Sequence, residues 1–286
     1  MKTTREIKVK HRILNWGFRR PKVAKIVLDT MGTLRITRIP FLGRLHPFAK
    51  PESTRITQLP INVEVQSEST PLPPAVMKEI AKRTPYIHRL EICPCRTGYN
   101  CQKHAHDIAC LFFGETGFDA SPLLSTRIST EEAIAHIDRA VENGLVPTIA
   151  RARLDYYYFM LKDEHKMIAC CFCCDCCCAL GNYKVVPQAT LDQIYPRLDG
   201  LEITVSDKCV GCGTCAKHCY MSAIRVDNGK ARHSETCRGC GRCGRVCPQG
   251  AVEIKITNPA YFGDTVEKFL SLATINEKGI RSGLGC

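Results

Sequence analysis

Eight cysteines near the C-terminal end of this 286-residue chain stand at spacings that suit iron-sulfur chemistry. The run C-x2-C-x2-C-x3-C occurs twice, and Pro248 follows the second run. A C-x2-C-x2-C loop wraps three thiolates around one corner of an iron-sulfur cube, and the fourth cysteine of each run serves the other cube. The spacing therefore predicts two [4Fe-4S] clusters, one held by Cys209, Cys212, Cys215 and Cys247 and the other by Cys237, Cys240, Cys243 and Cys219.

A second cysteine array lies upstream, in two segments. Its candidate metal ligands are Cys93, Cys95, Cys101, Cys110, Cys171, Cys173, Cys174, Cys176, Cys177 and Cys178. These thiols outnumber the four that one cube needs, so we expect at least one further iron-sulfur or other metal centre. The alternatives are one or two additional clusters, an unusual cluster with extra thiolates, or a structural zinc site with spare cysteines.

Four polar residues near this array can each be interpreted in two ways. His104, His106 and Asp175 are candidate ligands or proton donors, although such residues are more often ordinary core or surface groups. Arg96 would offset the negative charge of a thiolate cluster, or would form an ordinary surface pair. Cys286, the last residue, is not expected to be a ligand because no other cysteine stands at ligand spacing from it.

The twenty cysteines do not suggest a disulfide framework. Several are adjacent in sequence, and disulfide geometry requires Cα atoms about 5.5 Å apart with suitable Cβ vectors. No secretory signal precedes them, and the charged segment after Arg19-Arg20 does not suit an export signal. No apolar run reaches the roughly 20 residues of a membrane-spanning helix. We therefore expect metal-bound thiols in a reducing cytoplasm.

The positive charge is concentrated in one segment. Residues 1–60 hold 14 Lys or Arg and 3 Asp or Glu, whereas the remainder holds 26 and 25, so most of the net charge of +12 lies in this arm. Its partner would be an acidic protein, an anionic membrane surface or a nucleic acid. The alternative is a solvated basic segment or one that packs against acidic faces of its own chain. A redox partner protein is favoured over a membrane or a nucleic acid.

Hydrophobic patterning predicts the elements that position these thiols. Residues 1–60 should be irregular with one or two strands, and residues 66–74 should be a linker. We expect helices at 74–84, 103–113, 130–143 and 261–274, and strands at 61–65, 90–92, 145–150 and 156–161. The helix at 130–143 has a capping box of Ser129 and Glu132. Both upstream cysteine segments follow predicted strands and should converge.

The C-terminal cysteine runs lie in an internal repeat. Each run sits between short strands, at 203–205, 223–226 and 251–256, and the Asp227-Asn228-Gly229 turn separates the two copies. Corresponding cysteines are 28 residues apart, as from 209 to 237. This pattern suggests a duplicated unit folded about a pseudo-twofold axis.

Residues 201–258 resemble the bacterial two-[4Fe-4S] ferredoxins. The resemblance implies a ferredoxin-like fold and electron transfer, and Pro248 fits it, whereas Tyr220 stands where that family usually has proline. With the upstream Ile-Cys-x-Cys-Arg and Cys-x-Cys-Cys-x-Cys-Cys-Cys segments, residues 60–258 resemble proteins of strictly anaerobic bacteria and archaea that are described only as 4Fe-4S binding. This wider resemblance implies electron transfer without naming a substrate.

The expected architecture is α+β. A basic arm at 1–60 and a cysteine-rich α/β domain at 61–200 should precede a two-cluster domain at 201–258 and a C-terminal helix and tail at 259–286. The leading hypothesis is single-electron relay through the two [4Fe-4S] clusters, to or from the additional thiol-ligated metal centre or a partner redox enzyme. The alternatives are a reductase or activating subunit with its active site at the upstream cysteines, and a nucleic-acid-binding or scaffold protein that uses the basic arm. The absence of G-x-G-x-x-G after a strand, of G-x-x-x-x-G-K and of H-E-x-x-H disfavours nucleotide and metalloprotease chemistry.

Overall fold

A six-stranded antiparallel sheet forms the centre of the computed structural model, which describes residues 9–39, 41, 43–65 and 70–273. The strands of the chain are β1 (Thr54–Gln58), β2 (Glu64–Val65), β3 (Ile87–Leu90), β4 (Leu111–Phe113), β5 (Ser125–Ile128), β6 (Val146–Ala152), β7 (Ile168–Cys173), β8 (Leu201–Val205), β9 (Ile224–Asp227), β10 (Lys230–His233) and β11 (Val252–Ile256). The central sheet has the order β1-β6-β7-β4-β3-β5.

Helices cover both sides of this sheet, which confirms the expected mixture of helices and strands. They are α1 (Val9–Phe18), α2 (Pro21–Asp29), α3 (Pro74–Arg83), α4 (Pro94–Gly98), α5 (Thr130–Glu142), α6 (Arg153–Phe159), α7 (Gln188–Ile194), α8 (Thr214–Lys217), α9 (Arg242–Val246) and α10 (Tyr261–Leu272). On one face α3 packs against α5 and α10. Their buried side chains, such as Ile80, Ile137 and Phe269, form the largest core cluster.

The strand period of β7 decides which of its cysteines point into that core. Successive side chains of a strand point to opposite faces. Ile168, Cys170 and Phe172 accordingly lie in the core beneath α3 and α5. Cys171 and Cys173 face the opposite side, where they pack with a second cluster of buried residues. The sequence-based ligand set had left out Cys170, and the structure places this thiol in an apolar environment.

The N-terminal segment is largely helical, so the prediction of irregular structure was wrong. Helices α1 and α2 are followed by a 3-10 stretch at Thr30–Arg38. Leu14 and Phe18, and then Ala24 and Leu28, are buried at helical spacing. The many basic residues between these positions had hidden that period. Strand β1, the one strand among the described residues of this segment, forms the edge of the central sheet beside β6.

Two predictions next to the cysteine segments were also wrong. Residues 103–113 contain no helix, because the chain turns and then enters β4. The tyrosine run at 156–158 belongs to α6 and not to a strand. There the Tyr158 hydroxyl donates to the carbonyl of Val27 at 2.8 Å, and Leu154 and Phe159 are buried. Packing against α2 thus favours a helix in a segment whose aromatic composition suggested a strand.

Other elements are confirmed. Helices α3 and α5 lie at the predicted positions, and α5 has both hydrogen bonds of the capping box. The predicted strand at 145–150 is β6, the one at 61–65 shortens to β2, and the one at 90–92 ends earlier, as β3. The C-terminal helix is α10, whereas residues 66–69 of the predicted linker and the tail after 273 lie outside the described residues.

Strand pairing links segments that the sequence had separated. In the three-stranded sheet β2-β11-β8, β11 pairs antiparallel with β8 and parallel with β2. The hairpin β9–β10 turns through Asn228 and Gly229, both at positive φ. Since β1 joins the central sheet and β2 joins β11, paired strands cross two of the proposed domain boundaries.

The Ser129→Ala variant tests the capping box of α5. The Ser129 hydroxyl accepts from the backbone N–H of Glu132 at 3.1 Å, and the Glu132 carboxylate accepts from the N–H of Ser129 at 2.7 Å. Losing the side-chain cap should cost about 1 kcal/mol and lower the thermal midpoint by about 3 °C. The Ser129→Asp control keeps an acceptor at this position, so thermal unfolding of the anaerobic protein should show nearly unchanged stability for it. An equal loss in both variants would contradict the role of the cap.

Candidate metal centres

The first group of thiols surrounds a cavity between the two C-terminal cysteine runs. The residues that line it include Cys209, Cys212, Cys215 and Cys247, and we call this group the outer dicluster site. Backbone N–H groups point at two of these sulfurs, from Ala231 to Cys209 at 3.4 Å and from Ala251 to Cys247 at 3.3 Å. Cys212 is exposed to solvent. Four thiols around one cavity, with N–H donors to sulfur, fit a [4Fe-4S] cube.

The second group, the inner dicluster site, is more deeply buried. Burial raises the pKa of Cys240 to about 11, and the nearby Cys237 and Cys219 thiols add to this effect. Cys237 and Cys243 are buried, and the pKa of each is raised for the same reason, with Cys219 again a neighbour. Iron would have to displace these protons, because the thiolate is the form that binds metals. The structure thus brings Cys219 of the first run to the thiols of the second.

Two glycines shape the corresponding loops. Gly213 precedes α8 and Gly241 precedes α9, with φ of 73° and 82°. Both φ values lie in the left-handed region, which glycine adopts without strain. A Cβ on Gly241 would also collide with the carbonyl oxygen of Ile61. The glycine is therefore required by protein packing, in addition to any contact with sulfide.

Four upstream thiols form a compact group, the four-thiol site. The sulfur atoms of Cys101, Cys174, Cys176 and Cys177 all lie within 4.8 Å of one another. Those of Cys101 and Cys176 are 3.7 Å apart, and those of Cys176 and Cys177 are 3.3 Å apart. A tetrahedral ion with metal–sulfur bonds of about 2.3 Å separates its sulfurs by about 3.8 Å. The spacing at this site suits a single tetrahedral ion, such as zinc or iron.

The remaining six upstream ligand candidates line an enclosed cavity, the six-thiol chamber. Its ligand candidates are Cys93, Cys95, Cys110, Cys171, Cys173 and Cys178, and Cys174 of the four-thiol site also lines the cavity. They form three close pairs: Cys93 bonds to Cys95, Cys110 lies 3.4 Å from Cys171, and Cys173 lies 2.9 Å from Cys178. The bond from Cys95 lowers the pKa of Cys93 to about 6, and the bond from Cys178 lowers that of Cys173. In two of the pairs, therefore, a hydrogen bond from one thiol lowers the pKa of the other.

Arg96 lies between the four-thiol site and the chamber. Its guanidinium, which is 1% exposed, donates to the carbonyl oxygens of Ile108, Phe172 and Ala105. The interpretation of Arg96 as one member of an ordinary surface ion pair is therefore excluded. Cys93 and Cys110 of the chamber and Cys101 and Cys174 of the four-thiol site act together to raise the pKa of Arg96, against a desolvation effect that is larger than any one of them.

The other polar candidates do not join either thiol group. Nε2 of His106 lies 3.0 Å from the carbonyl oxygen of Cys101, which makes it a structural contact of the loop. Burial lowers the pKa of His104. Asp175 bonds to Nδ1 of His218 at 2.5 Å and to Lys103 at 3.4 Å. Among the described residues, the group of side chains close enough to share a metal ion contains none of these three.

Sequence reasoning missed Asp155, which lines the six-thiol chamber. Asp155 makes no hydrogen bond or ion pair within the described ranges, and burial raises its pKa to about 7. Asp155 is partly accessible because its side chain faces this cavity. It is still strongly desolvated, because the cavity lies inside the protein. No spacing signal could have found it, because the residues that follow had been assigned to a strand.

The inner dicluster site contacts the upstream half of the chain directly. Cys219, Cys237 and Cys240 pack in the same hydrophobic cluster as Cys173 and Cys178. The guanidinium of Arg242, which lies between two inner-site cysteines in sequence, donates to the carbonyl of Cys173 at 2.8 Å. The order in space is therefore the outer dicluster site, then the inner dicluster site, then the chamber.

Tyr220, the departure from the ferredoxin pattern, has a place in this contact. Its side chain is buried, and its hydroxyl lies 2.9 Å from that of Tyr195, which follows α7. A proline at this position would lack both the ring and the hydroxyl. Tyr220 therefore helps to attach the inner dicluster site to the rest of the protein.

Comparison with known proteins assigns the C-terminal segment. Residues 208–251 match the family model described as a 4Fe-4S dicluster domain. This part of the chain is therefore similar to 4Fe-4S dicluster domains. The match supports iron-sulfur clusters in this segment and, in general terms, electron transfer. No curated protein and no solved structure matches the chain significantly. Within the described ranges, none of the helices has the length and apolar character needed to cross a bilayer.

Replacing the fourth cysteine of each run tests how the dicluster domain divides its ligands. Cys247→Ala should impair the cluster at the outer site, and Cys219→Ala the cluster at the inner site, because each side chain lies with the thiols of the other run. Each variant should lose up to about four irons. Iron analysis and EPR of reduced, anaerobic protein would check this, with Cys170→Ala as the control that keeps all iron. If Cys247→Ala impaired the inner cluster instead, the division would be wrong.

Proposed function

We propose that the protein relays single electrons through its two [4Fe-4S] clusters to or from a further thiol-ligated centre upstream. The observation that carries this proposal is that inner-site cysteines share one buried cluster with Cys173 and Cys178 of the chamber, where Arg242 also donates to the carbonyl of Cys173. A ferredoxin unit that served only an external partner would not need this contact. The eight cysteines of the two C-terminal runs would hold the clusters, and the upstream thiols would hold the additional centre.

The exposure of the two dicluster sites supports a direction for the relay. Cys212 and the neighbouring Val210, whose side chain is 65% exposed, place the outer site at the surface. The inner site has two buried cysteines and faces the chamber. A redox partner would therefore exchange electrons at the outer site. Lys208 and Lys217 are exposed on this surface and favour a partner with an acidic face.

Buried cations support upstream centres that carry negative charge. Arg96 and Arg242 are 1% and 5% exposed, and their hydrogen bonds go to neutral backbone carbonyls. A buried charge is costly unless an opposite charge lies nearby. Thiolates that ligate a metal would supply this charge, and positive charge close to a cluster raises its reduction potential.

A second candidate function is that of a reductase or activating subunit with its active site in the chamber. The specific observation that favours it is Asp155, an unpartnered carboxyl group beside six thiols in an enclosed cavity. Such a group would deliver or accept a proton at a reaction centre. Ligand-induced spectral change in the anaerobic protein would support this role, and a spectrum that no small molecule alters would count against it.

The third hypothesis, nucleic-acid binding or scaffolding through residues 1–60, gains no specific support from the structure. The described part of this segment buries Leu14, Phe18 and Leu28 and contributes β1 to the central sheet. Some of its basic side chains are engaged within the chain, since Lys25 pairs with Asp29 and Arg38 donates to the carbonyl of Val185. The hypothesis would be supported if the protein bound RNA or DNA at low salt and lost this binding when the positive charge of residues 1–60 was removed.

The relay is tested by interrupting it at the inner site. A reduced flavodoxin, which is too large to enter the core, is mixed with anaerobic protein, and rapid freeze-quench EPR and Mössbauer spectra follow each centre. In the wild type the upstream centre should be reduced after the dicluster domain, and in Cys219→Ala this reduction should be much slower. Cys170→Ala, a buried cysteine that faces away from the chamber, is the matched control and should behave like the wild type.

Two outcomes would contradict the relay. The first is equally fast reduction of the upstream centre in Cys219→Ala and in the wild type, which would mean that electrons bypass the inner site. The second is an upstream centre that no donor reduces or oxidises in either protein. The outer-site and inner-site clusters would then serve only the external partner.

A further inference from the structure

The six-thiol chamber and the four-thiol site differ in the spacing of their sulfur atoms. Among the described residues, only the four-thiol site has three or more ligand atoms within 4.8 Å of one another. All six chamber cysteines are described, so no three of their sulfurs are that close. The same holds for the two dicluster sites. A single ion cannot bridge thiols at wider spacing, whereas a cluster can.

We propose that the six-thiol chamber binds an iron-sulfur cluster of its own, separate from the ion of the four-thiol site. Its ligands come from Cys93, Cys95, Cys110, Cys171, Cys173 and Cys178. The inference deepens the proposed relay by assigning its upstream end, but cluster binding in the chamber can be measured without any electron transfer.

The fold delivers the six thiols from three separate places. Cys93 and Cys95 lie at the start of α4, and Cys110 lies immediately before β4. Cys171 and Cys173 stand on the one face of β7 that looks away from the main core, and Cys178 follows on the next turn. The pairing of Leu111 with Cys170 in the β4–β7 ladder places Cys110 beside Cys171. The chamber therefore depends on the register of the central sheet.

The surroundings of these thiols are those of a binding chamber and not of a packed core. Cys95, Cys110, Cys171 and Cys178 all keep partial accessible surface although they lie deep in the protein, because they line the same cavity. Protein interiors are close-packed, and empty cavities are apolar. The thiols of the chamber, Cys174 and the carboxyl group of Asp155 line this one, together with apolar side chains. So many thiols around one cavity suit an occupant that binds sulfur.

The charge of Arg96 requires an anion on the chamber side. Its Nε has no hydrogen-bond partner in the described structure, and its other contacts are carbonyl oxygens. The thiols that act on its charge are Cys93 and Cys110 of the chamber and Cys101 and Cys174 of the four-thiol site. Thiols buried in an apolar setting ionise when a metal binds them. Metal-bound thiolates on both sides would neutralise this guanidinium without a carboxylate.

The decisive comparison uses neighbouring cysteines on opposite faces of β7. The Cys110→Ala/Cys171→Ala double variant removes one facing pair from the chamber, and Cys170→Ala removes a thiol from the apolar core. Anaerobically produced chains are analysed for iron, zinc and acid-labile sulfide, and by native mass spectrometry. The double variant should lose iron and sulfide together, by roughly four of each or more, and should keep the ion of the four-thiol site. Cys170→Ala should lose neither.

The wild type provides a test that does not depend on variant folding. Two cubes account for about eight irons and eight sulfides per chain. Sulfide clearly above this amount supports the cluster in the chamber. Sulfide at this amount, or chamber cysteines found as disulfides after denaturation and alkylation under anaerobic conditions, overturns it. Failure of the relay would give a different result. The upstream centre would then be reduced as fast in Cys219→Ala as in the wild type, while the iron and sulfide contents of the wild type would stay above those of two cubes.

Discussion

The buried guanidinium of Arg96 is the constraint around which the upstream half of the protein is organised. It joins α4, which carries it, to the loop of Ala105 and Ile108 and to β7, because it donates to the carbonyls of Ala105, Ile108 and Phe172. Its Nε has no partner among the described residues. Burying such a charge without an anion would be strongly destabilising. The thiol groups on its two sides resolve this conflict only when they are ionised. Folding and metal binding are therefore expected to be coupled in this region.

The inner dicluster site extends this arrangement into the C-terminal segment. Arg242 donates to the carbonyl of Cys173, and Tyr220 packs where the ferredoxin pattern has proline. Strand β2 pairs with β11, so the two parts of the chain also share a sheet. The segment at residues 208–251 that matches a 4Fe-4S dicluster domain is thus packed against the rest of the protein, and three of its cysteines share a buried cluster with upstream thiols.

Local signals in the sequence were sufficient for several elements. The capping box predicted α5, and the period of apolar residues predicted α3. Other segments depended on contacts that no local pattern records. The tyrosine run became α6 because Tyr158 bonds to Val27 of α2, and residues 103–110 wrap around Arg96 instead of forming a helix. Basic residues also hid the helical period of residues 9–29, where Leu14, Phe18 and Leu28 are buried.

The sequence by itself determined the chemistry of this protein, because thiolates at C-x2-C-x2-C-x3-C spacing specify iron-sulfur ligation through local geometry alone. Only the tertiary structure decided how the upstream cysteines divide. Cys101 lies far in sequence from Cys176 and yet 3.7 Å from it in space, and the alternation of β7 sends Cys170 into the core and Cys171 into the chamber. Sheet register and long-range packing set these positions, and neither is written in the spacing of the cysteines.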